Sequence, residues 1–393
     1  MNMEYEYWWL LGFPAFFGLG WLAARVDLKH LLSESRSVPK SYFRGLNFLL
    51  NEEPDKAIEA FVEVVKVDPE TVELHFALGS LFRRRGESDR AIRMHRNLLE
   101  RSDLGDEQRL LALHELGQDY LKAGLLDRAE EAFGRLRNTP MRVDALRFLL
   151  EIFQQEKEWE KAIEAARELE SVGGASRQKE ISHYLCELAS SEVTRSRPEQ
   201  AQLHLAEAIA VNRKCVRANV ILGDIYVNSG AFESAIDAWQ RIEQQQPAYM
   251  SLVAQRLVDV HGHLGHMERG LTLLCGYLER YPSLDMLDVA FQTTLEVSGA
   301  NAAYRLVKEE LRRSPTLLGL DRLLEAQILS ASVEKRGDLE LIRNLVHGHT
   351  RRIARFRCDA CGFKARQFYW HCPACGGWET YPPRRTEESE LTA

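Results

Sequence analysis

The sequence predicts an all-α fold, a superhelix of stacked helical hairpins with one transmembrane helix before it and a small cysteine-held ribbon after it. Three observations predict this: an uncharged apolar run near the start, a recurring spacing of small, aromatic and alanine residues, and two close cysteine pairs near the end. The chain has 393 residues, 45% of them hydrophobic, which suits one elongated array or two to three compact domains and excludes a disordered chain. A net charge of -7 and a pI near 6 give no global electrostatic case for nucleic acid. Four of the seven cysteines fall within the last 36 residues and the others are scattered singly. That is not an evenly spaced disulfide framework, so a reducing compartment is expected.

Residues 8–24 read WWLLGFPAFFGLGWLAA, seventeen residues without a charge, bordered by Tyr5, Tyr7, Trp8 and Trp9 at one end and Trp21 near the other. At the helical rise this reaches roughly 25 Å, the short end of what spans a bilayer, and aromatic residues prefer the membrane interface. Glu4 and Glu6 precede the run, whereas Arg25, Lys29, Arg36, Lys40 and Arg44 follow it. A cleaved signal peptide wants positive charge before the run, so residues 1–25 read as a retained anchor. The positive-inside rule puts everything after it in the cytoplasm. A buried core helix is the weaker alternative, because the run is apolar on every face.

The middle repeats itself. GLNFLLNEEPDKAIEAF supplies Gly45, Phe48, Ala57 and Phe61, with Pro69 closing the unit. GSLFRRRGESDRAIRMH returns Gly79, Phe82 and Ala91, LGQDYLKAGLLDRAEEAF returns Gly117, Tyr120, Ala129 and Phe133, and LGDIYVNSGAFESAIDAW returns Gly223, Tyr226, Ala235, Trp239 and then Pro247. Fainter copies place Phe153 with Ala162 and Ala166, Ala189 with Ala201 and Leu205, Gly270 with Leu274 and Pro282, and Ala302 with Leu306 and Pro315. This is the tetratricopeptide pattern, with its period near 34. The small residue lets two helices of a hairpin approach, the aromatic fills the space beside it, and the alanine admits the next helix. One hairpin cannot bury its apolar face alone, so neighbours stack and leave a long binding surface; such arrays bind partners and rarely catalyse.

Little in the array suggests chemistry. His261, His263 and His266 in HGHLGH lack a carboxylate or cysteine at a metal-binding spacing, so packed or solvated roles are expected. Cys186, Cys215 and Cys275 read as small buried core residues. Arg83, Arg84, Arg85, Arg90, Arg93 and Arg96 crowd one repeat. They fit either a surface for anionic lipid or an acidic partner, or a solvated face offset by Glu87, Asp89 and Glu100. No nucleophile motif or phosphate-cradling loop occurs, so no catalytic residue is expected.

The sharpest motif is FRCDACGFKARQFYWHCPACGGWETY, in which Cys358-x2-Cys361 and Cys372-x2-Cys375 are separated by ten residues. Each C-x2-C-G turn aims two sulfurs the same way, and two such turns enclose one tetrahedral four-sulfur site. One metal ion, Zn(II) or Fe, fits it, and its closed coordination points to a structural role. Phe363, Tyr369, Trp370 and Trp378 are expected to form the small core beside it, with metal binding contributing much of its folding energy. His371 reads as a neighbour of the site, not a ligand. The basic stretch HGHTRRIARFRC before it is expected to pack the ribbon against the acidic array in preference to contacting nucleic acid.

The domain order is then residues 1–25 as anchor, 26–39 as basic juxtamembrane linker, 40–347 as eight to nine tetratricopeptide hairpins, 348–381 as a rubredoxin-like metal ribbon, and 382–393 as a polar tail. This order resembles the lipopolysaccharide assembly protein B family of Gram-negative bacteria over essentially the whole chain. The resemblance is most specific in GLNFLLNEEPDKAIEAF, LFRRRGESDRAIRMH, LGQDYLKAGLLDRAEEAF and YWHCPAC. It implies a non-enzymatic, single-pass inner-membrane adaptor whose bulk faces the cytoplasm. It also implies that the adaptor promotes degradation of the LpxC deacetylase by the membrane protease FtsH, restraining lipopolysaccharide production, and meets other lipopolysaccharide assembly proteins. The family's metal ligands map onto Cys358, Cys361, Cys372 and Cys375. An acidic, aromatic amino terminus and the tail PPRRTEESELTA depart from the family. Two other readings stay open, a rubredoxin-like electron-transfer protein and a membrane-bound RNA-binding regulator; homodimerisation stays open too.

Overall fold

The computed structural model describes residue 17 and residues 40–386, apart from 52, 68–70, 174 and 354. The expected membrane span at residues 8–24, apart from residue 17, and Pro69 lie outside the described residues. Among the described residues no helix is long and apolar enough to cross a membrane. The chain divides into two compact units, residues 1–152 and 153–393, with the division inside one helix.

The first unit holds α1 (Lys40–Leu50), α2 (Pro54–Val67), α3 (Val72–Arg85), α4 (Ser88–Glu100), α5 (Asp106–Lys122), α6 (Leu126–Leu136) and most of α7 (Arg142–Glu156). From α1 to α6 each helix packs on the next, and α3 also packs on α5. Sequence explains the closeness. A Cβ on Gly45 would sit 2.6 Å from the Phe61 ring, and one on Gly117 would sit 2.8 Å from Phe133, so the glycine of the first helix is the socket for the aromatic sixteen residues on. Phe61 and Phe133 are completely buried, worth about 1.5–3 kcal/mol each. In the second repeat the same place facing Gly79 is taken by His95.

In the second unit α8 (Trp159–Ser171), α9 (Gln178–Thr194), α10 (Pro198–Val211), α11 (Val216–Asn228) and α12 (Phe232–Gln245) lead into a 3-10 turn, Pro247–Leu252. Then follow α13 (Ala254–His263), α14 (Met267–Arg280), α15 (Leu284–Ser298), α16 (Ala300–Arg313), α17 (Leu317–Ser330) and α18 (Val333–Ile353). Consecutive helices pack together here as well, and first helices of adjacent hairpins also meet, as α9 on α11 and α15 on α17. Gly223 receives Trp239, whose indole Nε1 donates to the Val220 carbonyl at 3.3 Å. The faint repeats hold their buried positions at Ala162, Ala166, Ala189, Ala201 and Leu205. The last faint repeat is shifted by one: Ala303 and Val307 are buried, while Ala302 and Leu306 are only partly so. Gly299, at a φ of 78° just before α16, sets that register.

Two short strands end the second unit. β1 (Phe356–Arg357) and β2 (Lys364–Ala365) pair antiparallel, with Phe356 opposite Ala365 and Arg357 opposite Lys364.

Candidate metal centre and its seat on the repeats

The β1–β2 hairpin presents the first cysteine turn, and an equivalent turn fourteen residues later presents the second. The backbone repeats itself between them. Cys358 N–H donates to the Phe363 carbonyl and Gly362 N–H to that of Cys358; Cys372 N–H donates to Gly377 and Gly376 N–H to Cys372, each at 2.9 Å. Gly362 and Gly376 close the turns at φ 75° and 68°, a left-handed conformation that side chains disfavour. The result gathers four sulfurs. Cys358 Sγ lies 3.8 Å from Cys375 Sγ, Cys361 Sγ lies 3.7 Å from Cys372 Sγ, and all four fall within 4.8 Å of one another. A tetrahedron with metal–sulfur bonds of about 2.3 Å has edges of about 3.8 Å, so the donor set fits one tetrahedral ion. These separations are far longer than the ~2.05 Å of a disulfide. The four cysteines therefore cluster as a rubredoxin-like metal site.

The small core beside the site differs from expectation. It consists of Phe356, Cys358, Cys372 and Tyr381, with Ala365, Phe368 and Tyr369 against them, and the Tyr381 hydroxyl donates to the Phe363 carbonyl at 2.9 Å. Of the four expected core aromatics only Tyr369 belongs to it. Phe363 is 39% exposed, while Trp378 stacks on His183 of α9 and Trp370 on Tyr249 of the 3-10 turn.

Trp378 stacks on His183 of α9, with ring centroids 4.9 Å apart, and meets Tyr184 edge-on at 5.8 Å. Its indole Nε1 donates to Gln154 Oε1 at 3.3 Å. His371 also packs on Trp378, with ring centroids 4.4 Å apart, and burial lowers its pKa. Trp370 stacks on Tyr249 of the 3-10 turn at 5.5 Å. Glu379, held at φ 52°, brings its carboxylate 3.0 Å from His183 Nε2. Arg385 grips Asp285 of α15 through two nitrogens at 2.8 and 3.0 Å and covers the Phe356 ring at 4.0 Å. The ribbon thus docks on the array as expected, but through two tryptophans and Arg385. No sequence signal marked His183, Tyr249 or Asp285, which are single residues of unremarkable helices.

Other candidates keep their bland roles. His261 is buried with its Cβ against Gly270, and His263 stacks on Phe232 at 5.7 Å. Among the described residues the three histidines form no ligand cluster. Cys186 and Cys215 are fully buried, whereas Cys275 is only partly so. The arginine crowd is divided: Arg83 turns inward to Glu115 and Asp119 at 2.6 and 2.7 Å, Arg85 pairs with Asp55 and Arg90 with Glu87, while Arg84, Arg93 and Arg96 stay exposed.

Residues 356–383 match the rubredoxin metal binding domain family, and residues 44–94, 114–177 and 186–249 match the tetratricopeptide repeat family. Lipopolysaccharide assembly protein B of Escherichia coli is 34% identical over 376 residues, covering 95% of this chain and 96% of that protein. The protein of the same name from Haemophilus influenzae is 29% identical over 382 residues, covering 94% and 96%. Among solved structures, the TPR2AB-domain:pHSP90 complex of yeast Sti1 covers 70% of this chain and 97% of its own, at 16% identity and a TM-score of 0.32. The fold class is an all-α tetratricopeptide superhelix with a small C-terminal ribbon, resting on the repeat matches and the helix order.

Proposed function

The chain belongs to the lipopolysaccharide assembly protein B family, a family of tetratricopeptide adaptors and not of enzymes, and from that premise we propose that it regulates lipopolysaccharide assembly by holding other proteins together. The observation that carries this reading is the seat of the ribbon: Trp378, Trp370 and Arg385 build the ribbon into the repeats of the second unit. Cys358, Cys361, Cys372 and Cys375 would hold one metal ion, zinc in this proposal, which supplies a cross-link that fixes the ribbon's shape. With four thiolates around it the ion has no open position for a substrate. Thr380 Oγ1, 3.3 Å from Cys358 Sγ, and the paired backbone turns orient the sulfurs.

The finer reading is that residues 1–25 tether the chain in the inner membrane with its bulk in the cytoplasm, and that it delivers the LpxC deacetylase to the FtsH protease. Holding substrate and protease on one scaffold at one membrane turns their encounter into a nearly intramolecular event, with effective concentrations of about millimolar. No catalytic residue is needed for that. Crosslinking in native membranes followed by identification of the bound proteins tests it: FtsH and LpxC should both be captured. Capture of neither with the folded, metal-loaded chain would sink the proposal. Metal analysis of protein from its natural host tests the zinc assignment, and iron with a reversible one-electron couple would favour electron transfer instead.

A further inference from the structure

Two thiols outside the ribbon stand close together in a place that matters to it. Cys186 lies in α9, and Cys215 is the residue before the first turn of α11; their sulfurs are 3.8 Å apart and both are fully buried. Cys186 sits one helical turn beyond His183, on the same face, and His183 is the ring on which Trp378 stacks. The free N–H groups of the first turn of α11 favour an anion at Cys215. The hydrogen bond with the Cys186 thiol, helped by His183 and Ser182 nearby, outweighs burial and brings the Cys215 thiol down to about 6. Cys275, by contrast, stands apart and burial pushes its thiol up. A stabilised thiolate with a second sulfur in reach is the arrangement of an oxidant-sensing pair.

We propose that Cys186 and Cys215 form a reversible disulfide when the protein meets a peroxide, and that this bond loosens the seat of the ribbon. The Cys215 thiolate attacks one peroxide oxygen and the O–O bond breaks, giving a sulfenic acid and a hydroxide that takes up a proton to leave as water. The Cys186 sulfur then attacks Cys215 sulfur and displaces the hydroxyl, which leaves as a second water with the Cys186 proton. Two thiols lose two electrons in total and the peroxide gains them. Both sulfurs are fully buried, which restricts the reaction to an oxidant as small as hydrogen peroxide. Bond formation closes the sulfurs from 3.8 Å to about 2.05 Å, which displaces α9 one turn from the Trp378 stack.

The test treats the metal-loaded full chain with graded hydrogen peroxide, blocks the remaining thiols, and identifies linked peptides by mass spectrometry. A peptide joining Cys186 to Cys215 is expected to appear about tenfold faster than oxidation of Cys275, and to vanish with dithiothreitol. Proteolytic cleavage next to the ribbon should rise after oxidation in the native chain, and should not rise in Cys186→Ala or Cys215→Ala chains of native helix content. Absence of the linked peptide when Cys275 or the ribbon cysteines are already oxidised overturns the proposal, and needs no variant to observe. A linked peptide with unchanged ribbon cleavage overturns its second half.

Discussion

Gly223 and Glu115 show how much one residue settles in this chain. A Cβ on Gly223 would stand 2.1 Å from the Trp239 indole nitrogen, which is itself tied to a backbone carbonyl and cannot step aside. Gly223→Ala should therefore destabilise the second unit by about 1–3 kcal/mol, read from its urea midpoint. Glu115 works through charge. Burial opposes its carboxylate, but hydrogen bonds with His114 and Arg83 outweigh it and hold its pKa at about 2, against an ordinary 4.5. Because the folded value is the lower one, this stabilisation is complete above the unfolded pKa and is lost as pH falls from about 4.5 through 2. Acid titration of stability should show that loss in the native chain and a flatter curve in Glu115→Gln. The glycine sockets were legible because glycine, aromatic and alanine recur at fixed spacing. The inward turn of Arg83 was not, since its partners Glu115 and Asp119 belong to the next repeat and an arginine-rich helix reads as a solvated face.

At the scale of elements, the turn between the helices of a hairpin reuses one conformation. Gly86 and Gly230 take it with φ of 84° and 77°, and Lys157 and Ser196 fill the same place at φ 60°. The two cysteine turns were likewise readable, because C-x2-C-G carries its geometry locally. The seat of the ribbon was not readable: Arg385 and Asp285 are 100 residues apart, and Trp370 and Trp378 look like core residues of whatever domain contains them. Trp378→Ala should undock the ribbon while leaving its metal bound, at a cost of about 3 kcal/mol or more, measured as faster proteolysis of residues 356–381 with unchanged metal content. Strong chelation should do more. It should unfold the ribbon and shift tryptophan emission to the red, while far-ultraviolet helical signal from residues 40–353 stays nearly intact.

For the whole molecule, repeats, ribbon and the apolar run at residues 8–24 divide the labour of an adaptor: the repeats supply binding surface, the ribbon is fastened to them, and the run would supply location. In the proposed role, location and binding together would make the function, with no reaction performed by the chain. It is tested most directly by the half-life of LpxC in cells depleted of the native protein and supplied either with the full chain or with residues 26–393. Rapid FtsH-dependent loss of LpxC is expected with the full chain, and a stable LpxC with the truncated chain even when that chain is folded and metal-loaded. Equal turnover with both chains would contradict it.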